Sequence, residues 1–484
     1  MPSPCGRHIG SDRMLAVVRN ELRLQRRDGR LALLTVLLVT MVGVALLAGW
    51  NDYRRGEAER IAFSDQAYRQ WVEQAPKHPH RAASFGLYVS KPEGPLAVVE
   101  PGLRPFAGRT LWLEAHNQAS FSYAAADDAP RAASGLGERS GAGLLQLFAG
   151  LLALVIGALS VARERETGVL RQLLAQGVRP TRWITGKYTG LLITLAIPMT
   201  FVLAAMFAFV IVGADHSRED ALARLALMAL GLVCYLATML AVGMLASVAL
   251  QSSRAAFAAV LAFWIVTDLL APRVASHLAM TFAAAPTAEA YEAEISKDFG
   301  KGLGGQPGWA AQLTALEAAT KKQYGVATLD VLPVGFSGLR MLAMEDWSNF
   351  VGDRHFARLS QTYVQQDRLR DIVAFAAPFL ASRSWSQAMA GTDWSHYRHF
   401  ADEGERYRRV FNRQMNELIV TGTRGQAWEM VAGRDDFAKV PPMSYRSPTA
   451  GWAAAQAIVP GLTLLVWLVA ALTVLLLASR RLRP

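Results

Sequence analysis

Six apolar runs, Leu31–Trp50, Gly143–Ala162, Thr189–Val212, Leu225–Leu250, Ala255–Ala271 and Trp452–Ala478, are each long enough to cross a lipid hydrocarbon core as a helix. In hydrocarbon every backbone N–H and C=O must be paired inside the chain, so such runs become helices and pack as a bundle. That feature excludes a soluble multidomain enzyme, although 484 residues would otherwise suggest about three domains.

The formal net charge of +11 would suggest nucleic acid in a soluble protein. Here the excess lies beside the spans, so it reads as membrane topology and no nucleic acid is expected. Seven arginines precede the first span, and six basic residues lie between Arg163 and Lys187. Arg254 sits between the fourth and fifth spans, and Arg480, Arg481 and Arg483 end the chain. The short loop Gly213–Arg224 instead sets Arg218 and Arg224 against Asp215, Glu219 and Asp220. With basic short segments inside, both termini are cytoplasmic. Residues 1–30 form an interfacial helix, with Met14, Leu15, Val18 and Leu22 on one face. Spans at 31–50, 143–162, 189–212, 225–250, 255–271 and 452–478 follow, with a cytoplasmic hairpin at 163–188 and a tail at 479–484. Segments 51–142 and 272–448 are then periplasmic.

The first outer segment combines a helix over Glu57–Gln74 with short strands over Ser84–Ser90, Leu96–Glu100 and Arg109–Ala115, each bounded by Gly or Pro. The second is mostly helical, over Thr287–Phe299, Gly308–Tyr324, Asp353–Phe375 and Trp394–Val420. Three of its stretches, Val274–Ala285, Val331–Met344 and Ile372–Ala381, are too apolar for a solvated face. They either dock on the bilayer, dip into it or form this segment's core. The expected class is an all-α membrane protein: a six-helix transmembrane bundle with a mainly helical, part-β periplasmic domain built from two loops.

Chemistry-bearing groups are few. Asp268 lies three residues before the end of the fifth span, with Pro272 and Arg273 next, so a hydrated position at the interface is expected. Two cysteines, Cys5 and Cys234, form no framework. Asp393, His396, His399 and Glu403 fall at helical spacing as D-x-x-H-x-x-H-x-x-x-E, a ligand set suited to zinc or copper. It is not HExxH, and Arg398, Arg406 and Arg408 lie close enough to neutralise the acids, so helix capping and ion pairing are the preferred reading and no metal is assigned. G-F-S-G at 335–338 is not the G-x-S-x-G of a hydrolase. No P-loop occurs in the chain, so any energised work needs ATP and magnesium in another subunit.

The charged island V-A-R-E-R-E-T-G-V-L-R-Q-L-L-A-Q-G-V-R-P-T-R-W-I-T-G-K, residues 161–187, sits between the second and third spans. Val169, Leu170, Leu173 and Leu174 share one helical face, which anchors the island to the span ends. The island resembles the segment after the second span of type-2 ABC exporter permeases, where E-x-G-T-L-x-x-L-L followed by G-K marks the hairpin that touches the ATPase. Glu166, Gly168, Leu170, Leu173, Leu174, Gly186 and Lys187 match; Thr167 precedes the glycine, and Val169 takes the usual threonine position. The resemblance implies ATPase coupling through Arg163, Glu164, Glu166, Thr167, Gly168, Leu170, Leu173, Leu174 and Lys187. It also implies a type V fold, ABC ATPase subunits and a second permease, identical or paralogous. The enlarged outer loops, with A-P-F-L-A-S-R-S-W-S-Q-A-M-A-G-T-D-W-S-H-Y-R-H-F at 377–400, resemble a branch near the permease of the nitrous-oxide-reductase maturation transporter. A non-transporting complex acting on a periplasmic partner and a membrane-embedded hydrolase are the alternatives.

Overall fold

The computed structural model describes residues 8–27, 29–107, 109–116, 118, 140–213 and 218–482. Cys5, Arg483 and Asp215 lie outside these. Among the described residues, six helices are long and apolar enough to cross a membrane. The chain is an all-α membrane protein.

Helix α1 (His8–Arg27) precedes α2 (Gly29–Val72), a 44-residue helix. The sequence divides α2 into a span and a separate polar helix from Glu57. The structure joins them, because no proline or paired glycine interrupts the intervening Asn51–Gly56. Beyond it come α3 (Pro79–Phe85), β1 (Leu87–Ser90) and β2 (Thr110–Leu113). The strands pair antiparallel, Leu87 opposite Leu113 and Ser90 opposite Thr110. The expected strand at Leu96–Glu100 is instead a 3₁₀ turn, Pro95–Val98; Pro95 opens it with the fixed φ that suits a helical first turn.

The second to fourth membrane helices are α4 (Gly141–Glu166), α6 (Pro180–Gly213) and α7 (Arg218–Ala249), with the short α5 (Val169–Ala175) between α4 and α6. Pro198 lies inside α6 without ending it. The fifth runs as α8 (Ser253–Trp264), a π-helical turn (Ile265–Leu270) and α9 (Ala271–Phe282). It does not stop at Ala271, and Val274–Phe282 continues its apolar surface. Then follow α10 (Ala288–Lys301), α11 (Trp309–Tyr324), α12 (Phe336–Ala374), α13 (Pro378–Ala390), α14 (Trp394–Gly422), α15 (Ala450–Gln456) and α16 (Ile458–Ser479), the sixth membrane helix.

The bundle is centred on α4 and α7. A Cβ on Gly157 would meet Leu240 O at 2.7 Å, and one on Gly243 would meet Leu154 O at 2.3 Å. Small residues thus let two backbones touch, the usual way helices associate where lipid is as apolar as the side chains.

The three apolar stretches of segment 272–448 resolve into three different roles. Val274–Phe282 extends the fifth membrane helix, and Leu332 and Phe336 form a small core with Leu329. Ala374, Ala377 and Phe379–Ala381 join the core of the bundle. There α13 is inserted against α4, α7 and α16, with most of its side chains buried. Trp385 is its key: Nε1 donates to Leu227 O at 2.8 Å. The ring occupies space left by two glycines, since a Cβ on Gly231 would stand 2.3 Å from it and one on Gly461 2.7 Å.

The polar part has its own core, shared by segments 51–142 and 272–448. Trp71 from the far end of α2 and Leu87, Val89, Leu111 and Leu113 from the strands meet Phe400, Phe411 and Met415 of α14 and Phe437. Arg408, fully buried, pairs with Glu405 at 2.7 Å and donates to the Glu114 and Ala115 carbonyls at 3.2 Å.

Two outcomes follow for stability. Trp385→Ala should lower unfolding stability by about 3–5 kcal/mol, since an aromatic is removed from a site shaped around it; denaturation in detergent measures it. Burial pushes the Glu345 carboxyl up to about 7, with Arg408 and the Asn416 amide offsetting only part of the shift. The folded state therefore holds this proton more tightly than the unfolded one. Its stabilising contribution is complete below the ordinary carboxylate range and is lost as pH rises through about 7. Glu345→Gln should flatten that decline, seen as a smaller drop in melting temperature between acidic and alkaline buffer.

Candidate coupling site

At the end of the bundle that carries the island, the charged residues are mostly spoken for within the chain. α4 ends at Glu166, and Gly168 turns the chain into α5 with φ 77°, a left-handed conformation that favours glycine. Arg165 donates to Val248 O at 3.0 Å, to Ser247 O at 3.2 Å and to Leu250 O, satisfying the open carbonyls at the end of α7. Glu166 accepts from Ser253 N at 2.7 Å and Ser253 Oγ at 2.8 Å, at the start of α8. Together these two side chains clamp the tight turn between the fourth and fifth membrane helices.

The G-K pair has an equally physical reason. A Cβ on Gly186 would lie 2.9 Å from Val17 Cβ, so glycine lets α1 lie directly on α6. Lys187, buried beneath it, pairs with Glu21 of α1 at 2.7 Å and with Glu164 of α4 at 2.7 Å. One ammonium thus pins three helices, α1, α4 and α6. Glu21 carries no motif in the sequence; its position on the face of α1 shared with Val17 and Val18 was the available signal.

On α5, Leu170 is buried and Leu173 and Leu174 pack against the bundle core. Val169 is 41% exposed, and Arg171, Gln172, Ala175 and Gln176 are exposed with it. Arg163 and Thr167 lie on the exposed side of the junction as well. Glu164, Leu170 and Lys187 therefore face into the chain; Glu166 is exposed but held by Ser253, and the rest of the outward face belongs to residues between and beyond them.

At the opposite end of the bundle, Asp393 caps α14, accepting from His396 N at 3.2 Å and pairing with its Nδ1. Arg224 donates to His396 Nε2 at 3.4 Å, so both imidazole nitrogens are engaged. Burial pushes the His396 imidazole below its ordinary value. Asp393 is also buried, which alone would raise its carboxyl, yet the His396 hydrogen bonds hold it below the ordinary value. His399 Nδ1 lies 3.2 Å from the Tyr445 hydroxyl, and Glu403 pairs with Arg406. The four residues are not brought to one point, and no metal-holding group of three or more His, Cys, Asp or Glu occurs among the described residues. Arg224 also reaches Met389 O at 3.2 Å, tying the start of α7 to the end of α13.

Lys187→Met should cost about 3–5 kcal/mol, because it leaves two carboxylates buried without their cation. Adding Glu21→Gln and Glu164→Gln should recover most of that loss, read as thermal stability and as protease resistance of α1.

The family model for ABC-2 family transporter protein matches residues 15–479. No curated protein and no solved structure gives a match. The match takes in α4, α5, α6, the inserted α13 and all six membrane helices, and with it the chain belongs to the ABC-2 transporter family.

Proposed function

We propose that the chain is the permease subunit of an ATP-driven ABC exporter of the bacterial inner membrane, worked by a separate ATPase that holds ATP and magnesium. Both termini and the island face the cytoplasm, following the distribution of arginine and lysine over the short segments. Residues 51–142 and 272–448 are then periplasmic. Two permease copies, identical or paralogous, complete the assembly, and the enlarged outer segments favour the branch near the nitrous-oxide-reductase maturation permease. The observation that carries the reading is the division of labour in the island. Arg165, Glu166 and Lys187 bind the hairpin to the bundle, while Val169, Arg171, Gln172 and Gln176 present an unburied face on a rigid mount. An ATPase closing against that face would move α4 and α6 together, since Glu164 and Lys187 join them.

A second reading, a non-transporting complex that moves a periplasmic partner, is favoured by α13. This helix fills the space among α4, α7 and α16, and the gap beside it is small and mostly apolar, lined by Leu203, Met206, Met228 and Leu232 with Gln146 and Ser386 as its polar members. In that reading ATP-driven tilting reaches the outer body through α2 and α13 without any solute passing. Solute-independent ATPase activity together with nucleotide-dependent distance changes in the outer body would select it.

Val169→Asp combined with Arg171→Glu should abolish co-purification with the ATPase. The stability of the chain should change by no more than about 0.5 kcal/mol, the range usual for surface changes. Leu170→Asp should instead unfold the island. Normal assembly and normal coupled ATP hydrolysis in the Val169/Arg171 variant would remove this interface.

A further inference from the structure

Asp268 is expected at a hydrated span end, and the structure puts it inside the bundle. It lies in the π-helical turn midway along the fifth membrane helix and is 3% exposed. A π-turn gives up regular helical pairing and recurs mostly at functional positions. Here it aims the carboxyl at α7 and α4. Tyr235 Oη lies 3.1 Å from Asp268 Oδ2 and 3.2 Å from Gln146 O. Thr267 Oγ1 lies 2.7 Å from Asp268 Oδ1 and 2.9 Å from Phe263 O. Gly150 makes room, for a Cβ there would stand 2.4 Å from Tyr235 Oη. Gln146 then donates through Nε2 to Ser386 Oγ at 2.8 Å and Ser382 O at 3.2 Å. A continuous polar chain thus runs from the fifth membrane helix through α7 and α4 to the inserted α13.

Each hydroxyl carries one hydrogen and stands between two acceptors. If Asp268 is ionised, both hydrogens turn to it, and two of the four links are made. A full negative charge then remains in the bundle with no basic residue at ion-pair distance among the described residues. Arg383 of α13 pairs with Glu100 at 3.6 Å, and Arg273 reaches Leu269 O at 3.2 Å. The groups facing Asp268 from α7 and α4 are Tyr235 and the neutral Gln146. With a proton on Oδ2, the acid donates to Tyr235, Tyr235 donates to Gln146 O, and three of the four links form with no net charge.

We propose that Asp268 is a proton-binding site within the bundle whose proton governs how firmly α13 is held. On release the Asp268 O–H bond breaks and the proton passes to solvent. The Tyr235 hydrogen swings from the Gln146 carbonyl to the new carboxylate. A buried, unpaired charge draws in water, and the water enters along the contact between the π-turn and α13. The site does not depend on an ATPase partner.

Infrared difference spectra of the full chain in lipid nanodiscs, taken between about pH 5 and pH 9, test the protonation state. A protonated-carboxyl band should be present on the acidic side and disappear on the alkaline side. Glu345, itself raised to about 7, adds to this band. In a Glu345→Gln background the band should be missing in Asp268→Asn and shifted in Tyr235→Phe, which keeps the acid and Thr267 but removes the tyrosine hydroxyl. Hydrogen exchange of the 378–390 amides, corrected for intrinsic rate, should rise about tenfold at the alkaline end in the native chain and stay flat in Asp268→Asn. Superimposable infrared titrations of the native chain and Asp268→Asn would overturn the site. A band that titrates while exchange rises equally in both would overturn its hold on α13.

Discussion

Where Gly157 lies on Leu240 and Gly243 on Leu154, two membrane helices touch backbone to backbone, and the rest of the bundle is built outward from that contact. Lipid supplies no hydrophobic drive between helices, so close packing and buried hydrogen bonds must hold them. The same principle is repeated at a second site, where Gly231 and Gly461 open a slot for Trp385. The first contact joins two spans directly. The second joins two spans through a wedge contributed by the segment between the fifth and sixth membrane helices, so the polar body is anchored within the membrane part and does not merely rest on it.

Electrostatics does the corresponding work at the island end. Desolvating an ammonium is costly, and Lys187 recovers that cost by serving two carboxylates from two other helices. Arg165 and Glu166 do the same for the open ends of α7 and α8, giving carbonyls and an N–H the partners that helix termini lack. A charged stretch beside a membrane thus serves mainly as intramolecular scaffolding, and only its alternate residues are left for an outside surface. The motif positions of the island divide accordingly: Gly168 for a left-handed turn, Gly186 for close approach, Leu170 for anchorage.

The six membrane helices were legible because uncharged runs of this length have one stable solution in lipid, and the amphipathic α5 because its leucines repeat at helical spacing. The pairing of α1 with α6 was not, since a single glutamate among arginines has no signature until the helix that it meets is known. Ile372–Ala381 looked apolar without saying where it went; only the glycine slots on α7 and α16 decide, and they lie far away in the chain. Asp268 was misplaced because Pro272 reads as a stop. At the first turn of α9 proline fits the helix, and the π-turn just before it absorbs the mismatch. The Asp393, His396, His399 and Glu403 spacing was read correctly as one helix, yet spacing is silent about Arg224 and Tyr445, which occupy two of the rings from other elements.

Helix α2 is unbroken from Gly29 to Val72, one end in the membrane part and the other in the core of the polar body at Trp71. At 1.5 Å per residue it is a rod of about 66 Å. Rotating such a rod by about 10° at its foot carries its tip through about 11 Å, with no bond inside it changed. Small tilts at the bilayer are thus geared up into large excursions above it, and the tip has Phe411 and Phe437 packed against it to carry along.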